Sequence, residues 1–414
     1  MARDFLYHVW DSPKFDGQPA LAAVDFDVPK NGRKPNGKTE TKRMYSLKRD
    51  LEALRKAGVK KGIVDPSFVA LDQKSNEGRE LFGIKIGKDM PKHKVLLTGC
   101  HHSREWISVE VPYYLAEYLI NNFTDTPKTE EEKRIKHLVT NREIWIIPMC
   151  NPDGHMFTIQ ENRWWRANRK VLDFPKGAKI EVAKTRKRTI QIAAGKKFTG
   201  VDINRNYATS DWGEETYHPG SSQRATSRDP AEGGADAVFC GMTAGSEPET
   251  QALSKLISDE KFDAMLTYHN FGQDYIFPDQ VSGNAYLTEL KDGMKKLVAQ
   301  HGNPYNFRAS ANYRYKTSGD AMVFYTETVP LRPAYVPEVR PKGDAPIVLM
   351  FSGLAESQIK DTVVENLTTA LALINAAAFD KAPHDVTAKA DAKNPIVQVV
   401  RGSSLPFEGW KPTL

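Results

Sequence analysis

Residues 94–123 read KVLLTGCHHSREWISVEVPYYLAEYLINNF, and this stretch determines the fold class. Its first six residues form a short apolar run that ends on Gly99, which is typical of a sheet strand. From Glu105 onward, apolar residues recur at steps of three and four, as they do along the buried side of a helix. A strand followed directly by a helix is the repeating unit of an α/β domain.

The same alternation continues on both sides of this stretch. Apolar runs bounded by turn residues predict strands at ELFGIKIG (80–87), EIWIIPM (143–149) and FDAMLTYHNF (262–271). Helical periodicity is present at residues 46–58, 247–260, 285–302 and 361–379. The sequence therefore predicts an α/β fold.

The composition is that of a soluble globular protein, with 40% hydrophobic and 27% charged residues among 414. A net charge of +6 is a mild excess that indicates no particular partner. No run approaches the ~18 apolar residues that a membrane span requires. The opening MARDFLYHVW carries Asp4 and His8 where a signal peptide would need an apolar core, but a signal removed earlier would leave the compartment open.

The three cysteines, Cys100, Cys150 and Cys240, are odd in number and widely spaced. This argues against a disulfide framework and against a cysteine-rich metal site, and leaves room for one bridge. Cys100 and Cys150 each end an apolar run, which favours buried small hydrophobic residues at strand ends.

Three regions of the chain differ in pattern. Residues 1–43 are rich in Pro, Gly, Lys and Asp and lack periodicity, which predicts an irregular N-terminal extension. Residues 44–381 carry the alternating strands and helices of the main domain. Residues 382–414 lose that pattern and predict a C-terminal extension, either flexible or forming an edge strand.

The motif HHSREW (101–106) is the sharpest local signal of chemistry, because it follows a strand, where α/β folds place their sites. His102 and Glu105 are three residues apart and can bind one cation together. An isolated pair of this kind is more often structural. A catalytic zinc site needs a third ligand, and His269, near the end of another predicted strand, is the candidate; a lone histidine there is more often structural, but the pairing with His102 favours a ligand.

Two further segments concentrate cationic and polar side chains. NRWWRANR (162–169) supplies Arg163, Arg166 and Arg169, and GVDINRNY (200–207) supplies Asp202, Asn204 and Arg205. Arginines beside a metal are suited to binding carboxylates and oxyanions. The alternative is that they are ordinary surface arginines lying over tryptophans.

In order, the chain contains the motifs TGCHHSREWIS, NPDG, NRWWR, VDINRNY, FCGMTAGSEPE, TYHNF, RYKTSG and PEVR. Together they resemble the zinc metallocarboxypeptidases related to pancreatic carboxypeptidases A and B, over roughly residues 44–378. The resemblance implies a mixed central β-sheet flanked by helices, with 44–381 as the catalytic domain. It also implies one zinc ion and hydrolysis of the C-terminal peptide bond of peptides or proteins.

Matched position by position, the resemblance makes His102, Glu105 and His269 the zinc ligands, with Asp202 orienting His102. Glu338 matches the carboxylate that takes a proton from the attacking water and later delivers it to the leaving amine. Arg166 matches the residue that stabilises the oxyanion.

The substrate side is matched in the same way. Asn204, Arg205 and Tyr315 match the groups that bind the free terminal carboxylate, and Arg104 matches an accessory arginine. Met322 matches the base of the pocket for the terminal side chain and suggests apolar residues there. Asp320, at a nearby matching position, would attract a terminal Lys or Arg, or else is a turn residue. We therefore expect a broad or dual preference that is weighted to apolar residues.

The chain departs from the family pattern at several places. His101 adjoins His102 and is a competing ligand with a less suitable spacing. Glu338 lies between Pro337 and Pro341 in a predicted strand, which leaves Glu327 as the reserve candidate for the base. Insertions are expected at about 171–199 and 213–238, as surface loops. The basic run AKTRKRTIQIAAGKK (183–197) favours a solvated hairpin over a contact with nucleic acid.

The expected partners are peptide or protein C-termini, with no nucleic acid and no membrane, and the expected state is a monomer. The resemblance favours a secreted or periplasmic location. Two alternatives are a related zinc amidase or deacylase that acts on another acyl substrate, such as a cell-wall peptide, and a binding protein on an inactive scaffold. Retention of Asn204, Arg205 and Tyr315 argues against the first. The presence of all the matched ligands and of the base argues against the second.

Overall fold

A computed structural model describes residues 5–11, 22–30, 34–67, 69–88, 93–161, 163, 165–173, 179–181, 189–191, 197–213, 238–281, 283–313, 317–342 and 356–377. The strands are β1 Tyr7–Val9, β2 Ala22–Lys30, β3 Lys34–Ser46, β4 Val69–Lys74, β5 Glu80–Ile86, β6 His93–Gly99, β7 Arg142–Ile147, β8 Val171–Asp173, β9 Lys179–Glu181, β10 Thr189–Gln191, β11 Lys197–Thr199, β12 Ala264–Gly272, β13 Asp274–Phe277, β14 Asn306–Ala309 and β15 Ala334–Lys342. The helices are α1 Leu47–Lys60, α2 Ile107–Asn122, α3 Glu130–Asn141, α4 Pro152–Gln160, α5 Pro248–Glu260, α6 Ala285–Ala299, α7 Ala321–Thr328 and α8 Glu356–Ala376.

The largest sheet has eight strands in the order β14-β13-β15-β12-β6-β7-β5-β4. Its centre is parallel, because β12 pairs in parallel with both β15 and β6, and β6 pairs in parallel with β7. Strands β13, β5 and β4 join by antiparallel pairing. The predicted α/β fold with a mixed central sheet flanked by helices is therefore confirmed.

The two faces of the sheet are both buried, which explains the continuous apolar runs of the central strands. Along β6, Val95 and Leu97 face a core cluster that includes residues of α1, α2, α6 and α8. Leu96, between them, faces a second cluster with residues of α5 and α7. This alternation follows the two-residue period of a strand. Because both faces are covered, the ends of the strands are the places where polar groups can gather.

The N-terminal region differs from the prediction. Residues 1–43 were predicted to be irregular, and this is wrong where the structure describes them. Tyr7–Val9 pairs in parallel with Met44–Ser46, and β2 forms an antiparallel hairpin with β3. Tyr7 and Val9 are buried in the main core cluster. The pairing of β1 with β3 joins segments more than 30 residues apart, so local periodicity could not predict it.

Other predictions have mixed outcomes. Cys100, Cys150 and Cys240 are all free and buried. The first insertion contains two short antiparallel pairs, β8 with β11 and β9 with β10. Most of the basic run 183–197, the segment 214–237 and the extension 382–414 lie outside the described residues. Among the described helices, none is both long and apolar enough to cross a bilayer.

Candidate metal centre and substrate cleft

The loop between β6 and α2 carries the central residues of the site. It leaves the strand through Gly99, where an added Cβ would lie 2.1 Å from the carbonyl oxygen of Ser108, so a side chain does not fit there. The backbone N–H of Ser103 donates to the Arg166 carbonyl at 3.0 Å, and its hydroxyl donates to the Trp165 carbonyl at 2.7 Å. These bonds fix the loop against the segment that carries Arg166.

Three potential ligand atoms converge in this loop and on β12. Glu105 Oε1 lies 2.8 Å from His102 Nδ1, and Glu105 Oε2 lies 3.0 Å from His269 Nδ1. The two Nδ1 atoms are 3.1 Å apart. All three side chains are buried, and they form a group able to hold a metal ion. The structure thus brings together the three residues that the sequence predicted as ligands.

The surroundings of this group fit a single zinc ion. Two imidazole nitrogens and one carboxylate are a donor set found in catalytic zinc sites, with a coordination position left for water or substrate. The second nitrogen of His102, Nε2, lies 3.2 Å from Asp202 Oδ1, so the ring is oriented with Nδ1 toward the other ligands. Asp202 is in turn held by Arg166, whose Nε donates to its Oδ2 at 2.9 Å.

The charges of the neighbours set the protonation of this cluster. Burial alone would raise the pKa of Glu105, but attraction and hydrogen bonds from His102 and His269 outweigh it and lower that pKa. Burial also opposes ionisation of Asp202, yet Arg166 and His102 bring its pKa well below the usual value. Burial lowers the pKa of His269 to about 4, which keeps its imidazole neutral, the form that binds metals.

His101 lies beside the cluster and not within it. Its Nε2 is 2.9 Å from the Tyr207 hydroxyl, and its ring stacks on that of His269 with centroids 5.4 Å apart. Among the described residues, the group able to hold a metal contains His102 and omits His101. The geometry therefore agrees with the choice of His102 over His101.

A cleft opens next to these ligands. Most of the residues predicted for catalysis and substrate binding line it, together with several that the sequence did not single out. The lining residues are His102, Arg104, Glu105, Arg166, Asn204, Arg205, Thr267, Asn270, Phe271, Ile276, Ser310, Tyr313, Thr317, Asp320, Met322, Val336 and Glu338. Tyr315 lies outside the described residues.

Glu338 and Glu327 occupy different places. Glu338 lies in β15 opposite His269 of β12, is half-buried and lines the cleft. Pro337 and Pro341 are accommodated within the same strand. Glu327 lies in α7 and accepts hydrogen bonds from the backbone N–H of Ser210 at 3.1 and 3.2 Å. It is not among the described residues that line the cleft.

Asn204 and Arg205 lie in a short 3-10 turn that Asp202 caps. The backbone N–H of Asn204 donates to Asp202 Oδ1 at 3.0 Å, and Arg205 Nη1 donates to the Asn204 carbonyl at 2.6 Å. The side-chain oxygen of Asn204 accepts from the Ala321 N–H at 3.0 Å. Asp202 therefore connects the candidate ligand His102 to the turn that carries Asn204 and Arg205.

Asp320 caps helix α7 at the edge of the cleft. Its Oδ1 accepts from the Val323 N–H at 3.0 Å, and its Oδ2 accepts from the Thr317 hydroxyl at 2.8 Å. Burial raises the pKa of Asp320. Met322, two residues further, is buried and lines the same cleft.

The three arginines of residues 162–169 do not act together. Arg166 enters the cleft, whereas Arg163 lies 3.6 Å over the ring of Trp106 and donates to the Arg104 carbonyl at 2.9 Å. Arg169 lies 3.6 Å over the ring of Phe157. Arg163 and Arg169 therefore both pack on aromatic rings, as the alternative expected, although Arg163 is buried and is not a surface arginine.

Sequence reasoning missed Asn270, whose backbone N–H donates to Glu105 Oε2 at 3.2 Å. Its position directly after His269 was the available signal. It also missed Ile276, Val336 and Tyr313, which reach the cleft from separate strands and loops. Only their spatial convergence identifies them.

Comparisons with known proteins agree with this geometry. A family model described as zinc carboxypeptidase, Peptidase_M14, matches residues 64–369. Zinc carboxypeptidase A 1 of Anopheles gambiae is 27% identical over 280 residues, which cover 66% of this chain and 54% of that protein. Carboxypeptidase O of Bos taurus is 27% identical over 310 residues, 72% of this chain and 70% of the relative. The chain thus spans little more than half of the first of these relatives.

Solved structures share the fold at low sequence identity. Bovine thrombin-activatable fibrinolysis inhibitor, in complex with tick carboxypeptidase inhibitor, has a TM-score of 0.59 at 20% identity, covering 80% of this chain and 97% of that one. Carboxypeptidase A from Helicoverpa armigera has a TM-score of 0.55 at 20% identity, covering 82% and 84%. Because the family model matches most of the length of this chain, the chain belongs to the zinc carboxypeptidase family.

Proposed function

We propose that this protein is a zinc-dependent metallocarboxypeptidase that hydrolyses the C-terminal peptide bond of peptides or proteins. One observation carries the proposal. Two members of the candidate ligand group, His102 and Glu105, line the same cleft as Glu338 and Arg205, and His269 lies against them. Side chains suited to holding a metal, to moving protons and to binding a terminal carboxylate therefore share one cavity, and this supports the proposal.

His102, Glu105 and His269 would hold one zinc ion. Bound there, zinc would polarise the scissile carbonyl and lower the pKa of water. The chain's contribution is to keep Glu105 ionised and His269 neutral at neutral pH, which the directions of their pKa shifts support. Asp202 keeps His102 turned toward the other ligands.

Glu338 is proposed as the general base that takes a proton from the attacking water and as the acid that returns it to the leaving amine. Its position opposite His269 on the neighbouring strand supports this role, because the carboxylate then lies beside the metal ligands. Arg166 is proposed to stabilise the negative charge on the scissile oxygen. Its hydrogen bond to Asp202 holds the guanidinium at the edge of the cleft.

Asn204, Arg205 and Tyr315 are proposed to bind the free terminal carboxylate, and Arg104 is proposed to contact the substrate further along the cleft. A guanidinium binds a carboxylate through two parallel hydrogen bonds, which would favour a free C-terminus over an internal peptide bond. The location of Arg104, Asn204 and Arg205 along the cleft supports this assignment.

The terminal side chain is proposed to be mainly apolar. Met322, Ile276 and Val336 supply apolar surface to the cleft. Both oxygens of Asp320 already accept hydrogen bonds, Oδ1 from the Val323 N–H of α7 and Oδ2 from the Thr317 hydroxyl, which limits its attraction for a basic terminal residue. A secondary preference for Lys or Arg is retained, because Asp320 also lines the cleft.

We further propose that the enzyme acts as a monomer and in a secreted or periplasmic location. The resemblance to the carboxypeptidases supports the location.

The test is to incubate the zinc-loaded protein with peptide pairs that differ only in a free or an amidated C-terminus, and to follow the products by mass spectrometry. Single residues should be lost from the free C-termini alone. Glu338→Gln should abolish this loss, and Glu327→Gln is the matched control because it lies in α7 and contacts Ser210. Equal cleavage of amidated peptides would contradict exopeptidase action and favour an amidase.

A further inference from the structure

The strand β1 packs against the helix that begins beside the metal-binding loop. Residues 7–9 lie outside the stretch that matches the family model, yet Tyr7 and Val9 belong to the main core. The backbone of Leu6 makes two hydrogen bonds to the Tyr114 hydroxyl of α2. Its N–H donates to that hydroxyl at 3.0 Å, and its carbonyl accepts from it at 3.1 Å. The strand is therefore built into the domain.

The centre of this contact is a buried histidine between two carboxylates. The backbone N–H of His8 donates to Glu110 Oε1 at 2.8 Å, and His8 Nδ1 lies 2.6 Å from Glu110 Oε2. The other ring nitrogen, Nε2, is 3.5 Å from Asp50 Oδ2 on α1. The imidazole ring thus lies between the carboxylates of the two helices. His8 thereby connects α1 to α2.

Glu110 depends on this histidine. Its side chain is fully buried, and no further hydrogen bond to its carboxylate is present in the described part of the chain. Removing the His8 ring would leave the buried carboxylate with the backbone N–H of His8 as its remaining donor in the described part of the chain, which is unfavourable. The first turns of α2 are therefore held by β1.

The same turns are tied to the metal-binding loop. The ring of Tyr7 meets that of Trp106 edge-on, with centroids 5.7 Å apart, and Trp106 directly follows Glu105. The Ser108 hydroxyl accepts from the Cys100 N–H at 3.0 Å and donates to the Glu105 carbonyl. A shift of α2 would thus move both ends of the loop that carries His102 and Glu105.

We propose that β1 is a positioning element for the metal site. His8, acting through Glu110, and Tyr7, acting through Trp106, hold the loop so that His102 and Glu105 keep their ligating geometry. Zinc affinity then depends on a strand that lies outside the family match. This inference rests on the zinc site of the proposed function.

The test uses full-length His8→Gln and Tyr7→Leu, with His301→Gln as a matched control because His301 contacts Thr368 on α8. Zinc affinity is measured by competition with a chromogenic chelator, and the thermal midpoint of the metal-free protein is measured in parallel. Both variants should bind zinc about 10-fold more weakly, the lower end of the effect known for groups that orient metal ligands. The control should bind zinc as the wild type does.

A lower thermal midpoint with unchanged zinc affinity in both variants would overturn the inference, since it would show a purely structural strand. Tyr7→Leu keeps the test decisive if His8→Gln does not fold, because leucine preserves an apolar side chain at a buried position. Wild-type protein that binds no zinc would overturn both this inference and the proposed function. Zinc binding by the wild type, with equal binding by the variants, would overturn this inference alone.

Discussion

Two buried carboxylate clusters contact the same segment of chain, and they differ in the charge of their donors. Arg166 reaches Glu105 and Asp202 at the metal centre, with Nε donating to Asp202 at 2.9 Å and Nη1 lying 3.6 Å from Glu105. Two residues further, Asn168 donates from Nδ2 to Glu247 at 2.7 Å and to Glu249 at 3.2 Å. We call Glu247 and Glu249 the acid pair.

The acid pair is bridged by neutral amides. Asn76, from the turn between β4 and β5, donates from Nδ2 to Glu247 Oε2 and Glu249 Oε2, in each case at 3.2 Å. Both carboxylates are as deeply buried as those of the metal centre. The pKa of Glu249 is raised to about 7, chiefly by burial and also by the nearby Asp153 and Glu247, while hydrogen bonds from its own backbone N–H and from Asn168 offset part of the rise.

The comparison shows that burial alone does not set the charge of these carboxylates. At the metal centre, His102, His269 and Arg166 overcome the desolvation of Glu105 and Asp202, and both pKa values fall. At the acid pair, amide donors do not overcome it, and the pKa of Glu249 rises. The carboxylates of the candidate metal centre are therefore ionised and suited to a cation, whereas Glu249 of the acid pair keeps its proton more readily.

The largest expected effect separates the two clusters by metal binding. Glu105→Gln should weaken zinc binding by more than ~100-fold, because it removes the anionic ligand itself and not only a group that orients one. Glu249→Gln should leave zinc affinity unchanged. Chelator competition measures both, and an equal loss in the two variants would contradict the assignment of the metal centre to His102, Glu105 and His269.

The second effect concerns stability against pH. Glu249 has a pKa of about 7 in the folded protein against an ordinary value of 4.5. The stability that it contributes is therefore fully present below pH 4.5 and is lost as the pH rises through about 7. The free energy of unfolding of the wild type should fall relative to Glu249→Gln by up to about 3 kcal/mol over that window.

Urea unfolding at several pH values measures this difference. Glutamine is the suitable replacement because it has the size of the protonated acid and does not titrate. Parallel pH profiles for the wild type and Glu249→Gln would show that folding does not raise the pKa of Glu249. The contrast between the two clusters would then have to be abandoned.

The third effect tests the link between Arg166 and the metal ligands. Asp202→Asn leaves His102 Nε2 and Arg166 Nε without their carboxylate, so zinc affinity should fall by about 10–100-fold. Asp153→Asn is a matched control, because Asp153 is also buried and accepts hydrogen bonds from Ser75 and Arg79. Chelator competition should show the loss for Asp202→Asn alone, and an equal loss in the control would contradict the role given to Asp202.

The smallest expected effect concerns Asp320, a buried carboxylate outside both clusters, whose hydrogen-bond donors are the Val323 N–H and the Thr317 hydroxyl. Asp320→Asn retains a good helix cap, so stability should change by less than ~1 kcal/mol. The ratio of kcat/KM for peptides ending in Lys to those ending in Leu should fall by less than ~10-fold. A fall well beyond that would make Asp320 the principal determinant of specificity.

The strand, loop and helix of residues 94–123 were predictable because their patterns are local. Apolar runs and helical periodicity lie in consecutive residues, and β6 and α2 follow them closely. The strand β1 was not predictable, since its partner residues lie more than 30 positions away. The acid pair was also missed. Two glutamates at the start of a helix are ordinary in sequence, and their amide donors Asn76 and Asn168 come from distant turns.

The sequence by itself determined the family, the order of the central strands and helices along the chain, and the residue types of the metal site. These features were predictable because the types of ligand residues and the periodicity of apolar residues are both visible in short stretches of sequence. Only the tertiary structure decided that both histidines present Nδ1, that Asp202 faces His102, and that β1 supports the metal-binding loop. Those arrangements depend on hydrogen bonds and packing between segments far apart in the chain, which no local pattern encodes.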